Sequence, residues 1–115
     1  MPYVKPLSEG QSYQQEGGPG TSYKSILPRE EGCGLNMGYI VQEGPTYTLP
    51  DSHVWPQWYL VIQGEGVIIL NDREYMVTAP ALVTIPPGTK HATRVEKGKR
   101  MEYTYINQFA VMPSK

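Results

Sequence analysis

Residues 51–64, DSHVWPQWYLVIQG, and residues 86–91, PPGTKH, hold both histidines of the chain, His53 and His91, and one of its two aspartates, Asp51. Residues two apart along a strand share a face, so Asp51, His53 and Gln57 can all point the same way. A carboxylate oxygen, an imidazole nitrogen and an amide oxygen converging from one side suit a divalent metal ion. The Pro-Pro-Gly turn at 86–88 is a rigid bend that can aim His91 inward from a second strand to complete the shell. Asp51 also follows Pro50 in Leu-Pro-Asp-Ser, a good turn sequence. It is either a direct ligand or a turn residue, and in the second case His53, Gln57 and His91 alone converge.

Outward from these two segments, short apolar runs alternate with turn signals: KSILP, LNMGYIVQ, WYLVIQG, EGVIIL, REYMVTA, ALVTIPPG, HATRVE and RMEYTYINQFAV. Strands this short and evenly punctuated predict an all-β antiparallel barrel or sandwich of six to eight strands over about residues 25–110, with no helix beyond roughly two turns. Asn71-Asp72 marks one hairpin turn and Gly98 a second. Arg94, Lys97, Lys99 and Arg100 cluster around that second turn. Glu96 and Glu102 are interleaved, which reads as a solvated hairpin tip. Residues 1–25 are polar and rich in Gly, Gln and Ser, so they form an extended N-terminal arm, with the barrel domain over 26–115. Tyr3, Val4, Leu7, Tyr13 and Tyr23 are the side chains able to pin that arm to a surface.

Composition agrees. Twelve glycines and eleven prolines in 115 residues break long helices, and nine tyrosines with two tryptophans suit half-buried strands. Ten Lys plus Arg against eleven Asp plus Glu leave a net charge of −1, which argues against nucleic acid or an anionic membrane as the partner. No run approaches the length of a membrane span, and the N-terminal residues lack the apolar core of a signal peptide. With a single cysteine, Cys33, a disulfide scaffold is excluded, and a cytoplasmic location is expected. Cys33 lies in EEGCGLN, where neighbouring acids disfavour a thiolate, so it reads as a turn residue and not a nucleophile.

The segments 51–64 and 86–91 resemble the two motifs of the cupin superfamily, G-x5-H-x-H-x3,4-E-x6-G and G-x5-P-x-G-x2-H-x3-N. Gln57 and Gly64 stand with six residues between them, where that family has Glu and Gly. His53 then falls on the second histidine of the first motif and Asp51 on its first. Pro86, Gly88 and His91 match P-x-G-x2-H without a gap, whereas Pro80 replaces the opening glycine and Val95 the final asparagine. The 15 residues between Gly64 and Pro80 are similar in spacing to small single-domain microbial cupins of the RmlC-like kind. The resemblance implies a double-stranded β-helix, or jelly roll, with Asp51, His53, Gln57 and His91 as metal ligands. Asp for His alters charge and hardness, and Gln for Glu removes a negative charge from the shell.

Around these residues, Trp55 and Tyr59 share parity with His53 and Gln57 and would line the cofactor pocket if the strand stays regular through Pro56. Tyr103 and Tyr105 are candidates for acid–base work. Arg94, three residues past His91, faces away from it. Nitrogen and oxygen donors without thiolate suit Mn, Fe, Ni or Zn as the divalent transition metal. No Ser-His-Asp triad, P-loop or dinucleotide fingerprint is present.

The enzymatic reading is therefore metal-assisted isomerase, lyase or oxygenase chemistry on a small polar metabolite, a sugar or a hydroxy or keto acid. Two other readings stay open: a metal-free small-molecule binder, and a structural or interaction role carried by the arm and a dimer surface. The edge strands of an open barrel, with an arm to cover one on a partner, predict a homodimer.

Overall fold

The computed structural model describes residues 4–13 and 20–109. Tyr3, part of the GGPG block and the last residues of the expected barrel domain lie outside them. A 3₁₀ turn (Leu7–Glu9) precedes nine strands: β1 (Gln11–Tyr13), β2 (Thr21–Leu27), β3 (Leu35–Glu43), β4 (Thr46–Tyr47), β5 (Gln57–Leu70), β6 (Arg73–Thr78), β7 (Ala81–Ile85), β8 (His91–Val95) and β9 (Arg100–Gln108). There is no α-helix among the described residues, and every strand pairing is antiparallel. The all-β jelly roll is therefore observed.

The 14-residue β5 is the spine. Its first half, Gln57 to Gly64, lies between β7 and β9, and its second half lies between β6 and β8. The sheet runs β1-β2-β3-β9-β5-β8-β4 and curls so that its two halves face one another. The expected runs WYLVIQG and EGVIIL thus form one strand, and the additional strands come from the arm (β1) and from the two-residue β4. Gly64 permits the continuity. It sits at φ +81°, and a Cβ there would lie 1.7 Å from the Arg100 carbonyl oxygen. Only glycine takes both that conformation and that approach where β5 changes neighbours.

The two expected hairpin turns are present. Asn71 and Asp72 both have positive φ and join β5 to β6, and Gly98 at φ +82° joins β8 to β9. Three of the four cations around the second turn are paired: Arg94 with Glu74 and Glu96, Lys99 with Glu65, Arg100 with Glu43 and Glu102.

Inward-facing Val61, Ile68, Ile85, Val95 and Met101 fill the closed end of the barrel and are essentially inaccessible. Tyr23 of the arm joins this core, with Tyr13 packed beside it at 5.3 Å between ring centroids. The boundary at residue 25 thus falls inside β2. Tyr13 and Tyr23 turn into this chain's own barrel.

Candidate functional site

The site starts from a backbone pairing. β4 runs antiparallel to β8 (Thr46 opposite Val95, Tyr47 opposite Arg94), and the pairing resumes at Asp51 opposite His91. The Asp51 N–H donates to the His91 carbonyl at 3.0 Å and the His91 N–H to that of Asp51 at 2.8 Å. Residues facing in this way extend their side chains on the same side of the sheet. Between Asp51 and β5 the chain leaves the ladder, so residues 51–57 are not the regular strand that parity assumes. Pro50 and Pro56 have no N–H to donate, which breaks the ladder at each end. His53 is fixed instead by the Pro-Pro-Gly turn, whose Gly88 N–H donates to the His53 carbonyl at 2.7 Å.

The histidines are oriented alike. His91 holds its Nδ1 3.0 Å from the Thr89 carbonyl oxygen, and His53 holds its own 3.2 Å from that of Trp55. A carbonyl only accepts, so in both rings Nδ1 is the donor, which leaves Nε2 as the atom able to face a ligand. The two rings meet edge to face at 4.8 Å, and Trp55 stacks on His53 at 4.4 Å and 4°. One donor atom from each of Asp51, His53 and His91 lies within 4.8 Å of the others. Gln57, at the start of β5, lines the same space, and its Oε1 is buried without a hydrogen-bond partner. Asp51 is exposed, its carboxylate accepts the N–H of the next residue, Ser52, and its backbone lies in the bridge to His91 and not in a turn.

Burial lowers the His91 pKa below its ordinary value. The Thr89 carbonyl opposes this, the neighbouring His53 adds to it, and Asp51 again opposes. The ring is therefore held neutral, the form that binds metal.

Aromatic side chains wall the cavity, of about 440 Å³. Tyr59 stands edge-on to His91 with centroids 6.5 Å apart, and Tyr103 packs on Tyr59 at 4.8 Å. The Tyr103 hydroxyl is fully buried and donates to Gln42 Oε1 at 2.6 Å, so its proton is committed inside the core. Tyr105 accepts a hydrogen bond from Tyr13 at 2.8 Å. Burial pushes the hydroxyls of Tyr59, Tyr103 and Tyr105 up, keeping them protonated at neutral pH. Arg94 faces outward to its carboxylates, as its parity predicts.

Tyr13, Tyr23, Asn107 and Phe109 also line the cavity and were not singled out for the site from sequence. Asn107 accepts from Trp55 Nε1 at 3.1 Å and donates to Asn36 at 2.9 Å, which fixes the indole that stacks on His53. The signal for Asn107 is its parity with Tyr103 and Tyr105 along RMEYTYINQ. For Tyr13 and Tyr23 no sequence pattern says that the arm folds inward.

A family model described as the Cupin domain matches residues 39–107, and the chain belongs to that family. No curated protein matches the sequence. Among solved structures, the polyketide cyclase RemF from Streptomyces resistomycificus is similar with a TM-score of 0.82 at 15% identity, over 99% of this chain and 89% of that one. A predicted oxalate decarboxylase from Thermotoga maritima gives 0.83 at 15% identity, over 92% and 98%. The EutQ protein of Clostridium difficile gives 0.66 at 22% identity, over 80% and 70%. These likenesses show a shared fold.

Proposed function

We propose, taking membership of the cupin domain family as the premise, that this chain binds one divalent transition metal ion and acts on a small polar metabolite carrying carbonyl or enediol oxygens. The observation that carries the reading is the grouping of Asp51, His53 and His91, within 4.8 Å, beside the partnerless Oε1 of Gln57. A buried amide oxygen left unpaired costs free energy, and a cation satisfies it. Two imidazoles, a carboxylate and an amide oxygen fit Mn, Fe, Ni or Zn. When bound, such an ion supplies Lewis-acid polarisation of a substrate oxygen.

The chain's own residues would do the rest. Thr89 and Trp55 hold the imidazoles by their Nδ1 protons. Trp55 and Tyr59 flank the two rings and keep water from them. Tyr105, rather than Tyr103, is assigned the proton transfer, because the Tyr103 proton is held by Gln42. Burial raises the pKa of Tyr105 and keeps its hydroxyl protonated at neutral pH, so it would meet a substrate oxygen as a hydrogen-bond donor. The cyclase and the predicted decarboxylase among the similar structures make isomerase, lyase or related chemistry on the fold reasonable, without selecting one.

We further place the protein in the cytoplasm as a homodimer. A free, exposed Cys33 suits a reducing compartment. Leu60, Ile62 and Leu82 are exposed on the outer surface of β5 and β7, with Leu60 directly opposite Leu82. Such an apolar face suits a second copy.

Elemental analysis of protein purified without a chelating tag tests the metal reading. About one equivalent per chain is expected, and His91→Ala should hold none. Far less than one equivalent in the wild type, after growth with each ion, would leave the metal-free small-molecule binder as the better description.

A further inference from the structure

The cavity holds a second unsatisfied group. The Tyr23 hydroxyl is buried, its residue only 5% exposed, and it has no hydrogen-bond partner. It belongs to β2 and lines the same cavity as His91 of β8. Beside it, the Tyr13 hydroxyl donates to Tyr105, which leaves the Tyr105 proton available to a further oxygen. Two phenolic donors from the arm strand and β9 thus look into the space that the histidines enter from β8 and the preceding loop. Desolvation pushes the pKa of Tyr23 and of Tyr105 up, so both are donors and not phenolates.

We propose that Tyr23 and Tyr105 form an oxygen-binding subsite, and that the molecule it takes is an uncharged, planar, ring compound bearing phenolic or conjugated carbonyl oxygens. The proposal rests on the metal reading only for what the histidine side of the cavity does.

Three observations restrict the ligand to that class. Among the described residues no lysine or arginine lines the cavity, while Asp51 adds negative charge to it. A dicarboxylate or a sugar phosphate would leave its second charge unpaired there, at a large desolvation cost. The walls are flat: Trp55, Tyr59 and Tyr105 present rings, and Phe109 tilts against Trp55 at 4.7 Å. Such rings favour a planar π surface over a pyranose. The size also fits. A cavity of about 150 Å³ holds a single benzene ring, so about 440 Å³ accommodates a fused pair with its oxygens.

Binding of 2,7-dihydroxynaphthalene, oxalate and glucose 6-phosphate to metal-loaded and chelator-treated protein, followed by titration calorimetry, tests this. The naphthalenediol should bind both forms more tightly than glucose 6-phosphate binds either. Tyr23→Phe should weaken it about fivefold or more, the loss of one hydrogen bond, with metal content unchanged. Because the Tyr23 hydroxyl has no partner in the folded chain, Tyr23→Phe should melt no lower than wild type, which separates lost binding from lost fold. Tyr105→Phe gives a second, independent reading of the subsite. Equal naphthalenediol affinity in wild type and both variants would overturn the proposal, as would preference of the chelated protein for either anion. Wild-type protein that takes up no metal yet binds the naphthalenediol through Tyr23 would support the subsite and refute the metal reading.

Discussion

Asp51 and His91 hydrogen-bond to one another through both of their backbone groups, at 3.0 and 2.8 Å. That pairing places a carboxylate and an imidazole side by side across two strands, although the residues are forty positions apart in the chain. It also makes the two side chains separable by experiment, because the backbone ladder does not depend on either one.

Asp51→Ala should therefore reduce metal affinity by at least about tenfold, since losing a direct ligand costs no less than losing an outer-shell partner. The melting temperature of the metal-free protein should barely move, because Asp51 is exposed and its carboxylate contacts only the Ser52 N–H. Titration calorimetry and a thermal melt on the same preparation check both. Unchanged metal affinity with a lower melting temperature would make Asp51 a turn residue.

The lowered pKa of His91 has a stability consequence with a definite sign. Its ordinary value is 6.5, and burial sets the folded value below that. Above 6.5 both folded and unfolded chains carry the neutral ring, and His91 adds no pH dependence. As pH falls below 6.5 the unfolded chain takes up the proton first, so the metal-free protein should lose stability until the folded pKa is passed. Urea midpoints between pH 7.5 and 5 should show this decline, and His91→Gln should flatten it.

Gly38 lies opposite Tyr105 across β3 and β9, and a Cβ there would fall 2.2 Å from the Tyr105 ring. Gly38→Ala should push that ring away and break its contact with Tyr13, at a cost of about 2 kcal/mol in overpacking. Denaturant unfolding measures the loss, and near-ultraviolet dichroism should report the displaced tyrosines. A variant as stable as wild type with the same aromatic spectrum would show that the ring is not held there.

The outer face of β5 and β7 gives a further test. Leu82 is 63% exposed, so Leu82→Lys should leave the monomer's fold intact. Light scattering should then show wild type at twice the chain mass and the variant at one chain mass. Equal masses for both would reject this face as the dimer contact.

Much of this was legible in the sequence, for stated physical reasons. Asn71-Asp72 and Gly98 announce their turns because few residues tolerate positive φ. His53 and His91 stand out because the chain has no other histidine. The continuity of β5 was hidden, since Gly64 reads as a strand end until its close approach to Arg100 is seen. Parity along 51–57 brings Asp51, His53 and Gln57 to one side by a strand geometry that this segment does not have. The two prolines interrupt the strand, and the Gly88 contact to His53 restores the convergence through a loop. The inward turn of Tyr13 and Tyr23 rests on contacts such as that of Tyr13 with Tyr105, 92 positions away, which no local pattern encodes.

X-ray absorption at the metal edge, on untagged protein loaded with one equivalent of Ni or Zn, tests the central claim most directly. The account predicts a first shell of nitrogen and oxygen only, with outer-shell scattering from two imidazoles, and no bound metal to measure in His53→Ala. A sulfur-containing shell, or one without imidazole scattering, would contradict it.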